Sequence, residues 1–251
     1  MRVSEVIGVS EHKKSYVRRR RILRMLILIF GLASIVVIVL TYYGHNAGNF
    51  SIRINDRDNR ALVVSESHEG LTTDPRQRLS AAAIRNANDM TFTDIYPSQQ
   101  FYQAISGNGQ FNDPRFSYLA YSFYVKNTSM HGIAGTLVYS MRVLDDFRGM
   151  ASALRVMIVT QDMGQAGYSL EVFRQYDPLI NSGNGGQGIT WPETEWANNQ
   201  VFQRTLLSFP GGQFRKFTVF IWLEGNDPNT NDSILGGRSR FEMTLTLLGA
   251  D

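Results

Sequence analysis

Phe217-Thr-Val-Phe-Ile-Trp-Leu223 is the stretch on which the fold turns. Its aromatic and β-branched side chains, within the longer segment Phe214–Leu223, have the composition of a strand rather than a helix. On its C-terminal side lies a polar connection, Trp222–Gly237, and then a second strand-like run, Phe241–Leu248. Working back towards the N-terminus, the same signal recurs. Phe50-Ser-Ile-Arg-Ile54 alternates apolar and polar residues, as a half-buried strand does. Ala61–Val64 is short and apolar, and Tyr118–Val125 interleaves aromatic with small or polar side chains. Thr136–Leu144 is placed to pair with it as a hairpin across Lys126–Gly135, which holds Asn127, Ser129 and two glycines. Arg155–Thr160 and Tyr168–Tyr176 complete a set of about eight strands joined by long polar loops, the pattern of a sandwich.

Helical signals are few. Gln77–Ala87 follows Asp74-Pro75 and reads as one short helix, and Met150–Leu154 as a single turn. Thr190–Gln203, with Trp191, Pro192 and Trp196, reads as a long aromatic-bearing connection. The expected fold class is therefore all-β: an antiparallel β-sandwich or jelly roll with few short helices. One transmembrane or signal-anchor helix is expected to precede it.

That preceding segment is Met25–Tyr43, MLILIFGLASIVVIVLTYY, which carries no charge. As a helix it would extend about 28 Å, close to the thickness of a bilayer's hydrocarbon core. Residues 1–24 hold eight Arg and Lys against Glu5 and Glu11, a net of +6. The chain as a whole stands at +3, so the remainder carries −3. All the excess basicity thus flanks the apolar run, which orients the N-terminus towards the cytoplasm and removes the case for nucleic acid as a partner. The division expected is a cytoplasmic tail over 1–24, a span or signal-anchor over 25–43, and one extracytoplasmic domain over 44–251. Cleavage near Gly44–Gly48 would instead give a secreted protein. His45-Asn46-Ala47 matches a small-x-small cleavage site poorly, and the apolar run exceeds the usual length of a signal peptide, so retention in the membrane is expected.

Cysteine is absent, which excludes a disulfide framework and any thiolate ligand or nucleophile. The histidines His12, His45, His68 and His131 form no H-E-x-x-H motif, and no G-x-S-x-G elbow occurs. The segment Ser182–Gly188 is glycine-rich but lacks the Lys-Ser/Thr of a phosphate-binding loop. No catalytic residue is therefore assigned. The most distinctive polar stretch is Glu224-Gly-Asn-Asp-Pro-Asn-Thr-Asn-Asp232. Its oxygen-bearing side chains fail the EF-hand template, since the glycine position holds Asp232 and the bidentate-Glu position Arg238. Glu224, Asp227 and Asp232 are the candidate ligands of a calcium site of another kind. The alternative is a turn whose Asp and Asn side chains bond their own backbone.

Taken together, several segments resemble the TasA/camelysin-like surface and biofilm-matrix proteins of Gram-positive bacteria. They are the basic tail and apolar run, Gly48-Asn-Phe50, Tyr121-Ser-Phe-Tyr-Val-Lys-Asn127, Ala153-Leu-Arg-Val-Met157 and Trp222-Leu-Glu-Gly-x-Asp-Pro with Asp232 and Gly236-Gly237. The resemblance implies a jelly-roll domain at the cell surface, exported with a dedicated type of signal peptidase. In some of these proteins an N-terminal strand is exchanged to build fibres. Camelysin is classed as a metallopeptidase, but this chain has no zinc motif to receive that activity. The function expected is a non-enzymatic, surface-anchored matrix or adhesion protein that assembles with itself or with other surface proteins. Phe50, Ile52 and Ile54 are the candidate exchanging strand, and pairing of that strand within its own chain is the simpler alternative. A ligand- or calcium-binding ectodomain, or a hydrolase whose site the sequence hides, are the other readings.

Overall fold

The computed structural model describes residues 22–35, 37, 48–55, 61–130, 133–162, 167–178 and 192–249. The tail, most of the stretch from 36 to 47, His131 and the glycine-rich segment 182–188 lie outside the described residues. Two units divide the chain, Met1–Ala47 and Gly48–Asp251. In the first, residues 22–35 and 37 are helical, with exposed side chains. Among the described residues no helix is long and apolar enough to cross a membrane.

The second unit is mainly β. Its strands are β1 (Phe50–Ile54), β2 (Leu62–Ser65), β3 (Arg78–Ser80), β4 (Asp89–Met90), β5 (Gly109–Phe111), β6 (Leu119–Asn127) and β7 (Ala134–Phe147). They continue with β8 (Leu154–Asp162), β9 (Ser169–Gln175), β10 (Glu193–Trp196), β11 (Gln200–Pro210), β12 (Phe214–Glu224) and β13 (Arg238–Leu248). One sheet runs β11-β7-β13-β1-β3; the larger runs β10-β9-β8-β12-β6-β2, with β4 added to β12 and β5 to β6. Most pairings are antiparallel, but β1–β13, β9–β10 and β4–β12 are parallel. The architecture is two mixed, largely antiparallel sheets packed as a sandwich.

β12 explains why Phe217–Leu223 is apolar throughout rather than alternating. Phe217, Val219, Ile221 and Leu223 point into the core shared with the smaller sheet. Phe220 and Trp222 point the other way, into a second core with Met157, Val159 and Val172. That second core is roofed by Phe101, Ala104 and Ile105 of the helix Gln99–Ser106. A central strand covered on both faces loses the period-2 signature. The helix is capped by Ser98, whose Oγ accepts from Phe101 N at 3.1 Å. Ser122 of β6 fastens it to the sheet, donating to Ala104 O at 2.8 Å and sharing a 2.7 Å bond with Thr218.

Three expectations are corrected. Gln77–Ala87 is not a helix: Arg78–Ser80 pairs with β1, with Leu79 buried beneath, because strand pairing outweighs the segment's helical composition. Thr190–Gln203 is not one connection, since its described part contains β10 and the start of β11. Nor do Tyr118–Val125 and Thr136–Leu144 form a hairpin. Their strands, β6 and β7, belong to different sheets. The turn Met150–Ala153 forms where expected, and β1 coincides with the expected Phe50–Ile54.

Candidate functional site

Two features stand out: the seat of β1, and a buried ionic array beside the polar connection after β12.

β1 is the first strand of its unit, yet it lies inside the smaller sheet rather than at its edge. On one side it runs parallel to β13, with Phe50 opposite Phe241 and Ile54 opposite Leu245. Phe241 N donates to Asn49 O and Asn55 N to Leu245 O, each at 2.8 Å. On the other side, among the described residues, β3 and its flanking residues Gln77 and Ala81 cover it. There Ala81 N donates to Phe50 O and Ile54 N to Gln77 O, both at 3.0 Å. Phe50, Ile52 and Ile54 are all buried, and the Phe50 ring meets Tyr121 edge-on with centroids 6.1 Å apart. The three residues named from sequence are therefore brought together in one slot, filled by the chain itself. The entry is tight: a Cβ on Gly48 would come within 1.6 Å of Ala81 O.

The ionic array closes the second core at its β12 end. Trp222, Arg155, Arg174 and Glu195 fall in one row across β12, β8, β9 and β10. Arg155 is wholly buried between two carboxylates. Its Nε lies 2.8 Å from Glu193 Oε1 and its Nη2 2.8 Å from Asp227 Oδ2. The first contact is a hydrogen bond, whereas the second is an ion pair outside hydrogen-bonding geometry. Arg174 then bridges Glu193, at 3.4 Å, and Glu195. Two guanidiniums thus hold three carboxylates, clasping the polar connection and β10 to the sheet.

The residues proposed as calcium ligands have separate tasks. Asp227 faces Arg155 through Oδ2 and accepts from Asn229 N at 2.8 Å through Oδ1. Glu224 is buried and accepts from Trp222 Nε1 at 3.0 Å. Burial raises its pKa, against the Trp222 hydrogen bond and the Arg155 charge. Asp232 is exposed, in the turn Asp232–Ile234 that Asn231 caps by accepting from Ser233 N at 3.0 Å. The connection is thus an Asx-rich turn bonding its own backbone. A cation at Asp227 would compete with the guanidinium of Arg155. Among the described residues no group of three or more His, Asp or Glu side chains stands in an arrangement that could hold a metal ion.

Sequence reasoning missed Arg155, Arg174, Glu193 and Glu195. Their only local signal is the alternation of charged residues in Glu193-Thr-Glu-Trp196. It missed Lys216 as well, a cation buried in the middle of the larger sheet. Lys216 Nζ donates to Gly107 O at 2.6 Å, beyond the last turn of the roofing helix, and stands 5.2 Å from the Tyr124 ring centroid. Burial pushes its pKa down to about 8. No protein-family model matches the chain, and no curated protein or solved structure matches it.

Proposed function

We propose that this chain is a non-enzymatic, membrane-anchored surface protein whose β-sandwich assembles with copies of itself by exchanging β1. The observation that carries the proposal is the seat of β1. It is the first strand of its unit, its Phe50, Ile52 and Ile54 are buried in the main core, and the short segment Gln77–Ala81 covers its outer edge. A strand at the start of its unit can leave such a slot without threading a loop. The vacated edge of β13 then offers unpaired N–H and C=O groups to the same strand from a neighbour.

The uncharged run Met25–Tyr43 and the +6 tail against a −3 remainder support anchorage with the N-terminus in the cytoplasm. The jelly-roll form of the sandwich and kinship with TasA/camelysin-like matrix proteins belong to the same proposal. Both draw support from the Trp222–Gly237 segment and from a first strand that pairs with the last.

The test is removal and return of the strand. A variant lacking Gly48–Ile54 loses assembly, and a synthetic peptide of residues 48–55 binds it and raises its melting temperature. Undiminished polymerisation of the deletion variant would sink strand exchange.

A further inference from the structure

Three tyrosines gather at the edge of the roof over the second core. Tyr96 ends the helical turn Phe92–Ile95, Tyr102 lies on the helix Gln99–Ser106, and Tyr168 immediately precedes β9. Phe101, wholly buried, seats all three. Its ring centroid lies 4.9 Å from that of Tyr96, 5.3 Å from Tyr102 and 5.6 Å from Tyr168, each edge-on. Their hydroxyls meet as well. Tyr168 Oη donates to Tyr96 Oη at 3.3 Å and shares a second hydrogen bond with Tyr102. Burial, helped by these two hydrogen bonds, raises the pKa of Tyr168 and keeps it a neutral phenol. Tyr96 and Tyr168 are half-buried, whereas Tyr102 is 48% exposed.

The geometry points to Tyr96 and Tyr168 as the site of an oxidative cross-link, a dityrosine that staples the roof of the second core to β9. A phenoxyl radical carries its unpaired electron on the oxygen and on the ring carbons beside it, the opposite carbon being blocked by the side chain. Two such rings held with their hydroxyls 3.3 Å apart are already at the separation from which reaction gains by proximity. The oxidant is a haem peroxidase using hydrogen peroxide. It takes one electron and one proton from each phenol and reduces the peroxide to two waters. A carbon–carbon bond then forms between the rings, and the hydrogens displaced from the two joined carbons return to the two oxygens. The product is the chain less two hydrogen atoms. Tyr102 carries oxidation inward, because a phenoxyl there takes a hydrogen atom from Tyr168; Tyr96 is reached directly.

In a chain without cysteine no disulfide can serve this purpose. The link joins residues 72 apart in sequence, so it restricts the unfolded chain over a long loop. It lies within one chain and stands apart from the exchange of β1.

The test is oxidation of the full chain, in detergent, by a plant haem peroxidase with one equivalent of hydrogen peroxide, followed by trypsin and mass spectrometry. Trypsin leaves Tyr168 as the one tyrosine of peptide 156–174, and Tyr96 with Tyr102 in peptide 86–115. The expected product is a fluorescent monomer lighter by two hydrogens, with these peptides joined through Tyr96 and a melting temperature raised by several degrees. Tyr96→Phe and Tyr168→Phe, whose folding an unchanged melting temperature before oxidation verifies, lose the joined peptides and several-fold of the fluorescence. Unfolding in urea before oxidation scatters coupling among the eleven tyrosines and has the same effect. Joined peptides that survive Tyr96→Phe place the link at Tyr102 and overturn the assignment. No coupling, or coupling only between chains, overturns the staple itself.

Discussion

Arg155 Nη2 stands 2.8 Å from Asp227 Oδ2, with both side chains wholly withdrawn from solvent. A charge so buried depends on its partner, and removing one side leaves the other to bear its desolvation. Asp227→Ala should therefore cost about 3 kcal/mol, because among the described residues Arg155 then keeps a single ion-pair partner, Glu193. For a domain of this size that is a fall of roughly 6–12 °C in melting temperature. Combining it with Arg155→Met should recover part of the loss. Denaturant titration of the single and double variants checks this, and an unchanged midpoint in Asp227→Ala would refute the clasp.

Lys216 makes a prediction in pH. Its folded-state pKa is depressed to about 8, against an ordinary value of 10.5. Between those values the unfolded chain holds a proton that the folded chain has released, so stability rises with pH across that window. Below pH 8 both states are protonated and the burial cost is present in full. Melting temperatures measured from pH 7 to 10 should show a rise in the parent that Lys216→Met flattens. An identical slope in both would contradict the assignment.

The second core should be as costly to disturb as the first. Phe101 is buried and stacks 5.5 Å from Phe220, while its helix neighbour Tyr102 is 48% exposed. Phe101→Ala should cost about 3–5 kcal/mol and loosen the roof over the larger sheet. Tyr102→Ala, which loses an edge contact with the Phe101 ring at 5.3 Å, should cost about 1 kcal/mol. Equal effects in denaturant titrations would mean that the helix is not packed as described.

Gly48 guards the entry of β1. A methyl group there would meet Ala81 O at 1.6 Å, a backbone atom that cannot turn aside. Gly48→Ala should lower stability by about 1–3 kcal/mol, as overpacking does. It should also speed amide hydrogen exchange along β1 more than along β12, the contrast to be read by mass spectrometry. Uniform exchange would show that Gly48 does not control the slot.

What could be read from sequence depended on whether a residue's partners were local. Phe217–Leu223 announced a strand through its composition alone, and Phe50–Ile54 through its alternation. Which strand lay beside which could not be read that way. Tyr118–Val125 and Thr136–Leu144 look like a hairpin because only a short connection divides them, but alternation reveals a buried face and not a neighbour. Glu193-Thr-Glu-Trp196 fell inside the Thr190–Gln203 connection read from Trp191, Pro192 and Trp196, and nothing local to it shows what neutralises its two carboxylates. Arg155 and Arg174, which neutralise them, lie on separate strands earlier in the chain. Glu224 and Asp227 were conspicuous for the same reason: their oxygens were visible in the sequence, and the guanidinium facing Asp227 was not.

The exchange of β1 can be tested most directly with a covalent trap. Ser51 and Ser80 face each other across β1 and β3, between the hydrogen-bonded positions at either side, the closer kind of antiparallel pair. In a chain without cysteine, Ser51→Cys with Ser80→Cys places two thiols where a disulfide can form. Oxidation of the double variant under assembling conditions, followed by a non-reducing gel, reports whether the two strands come from one chain or two. Strand exchange predicts a ladder of covalent oligomers that reducing agent collapses. Disulfide-closed monomers alone, alongside undiminished assembly, would contradict it.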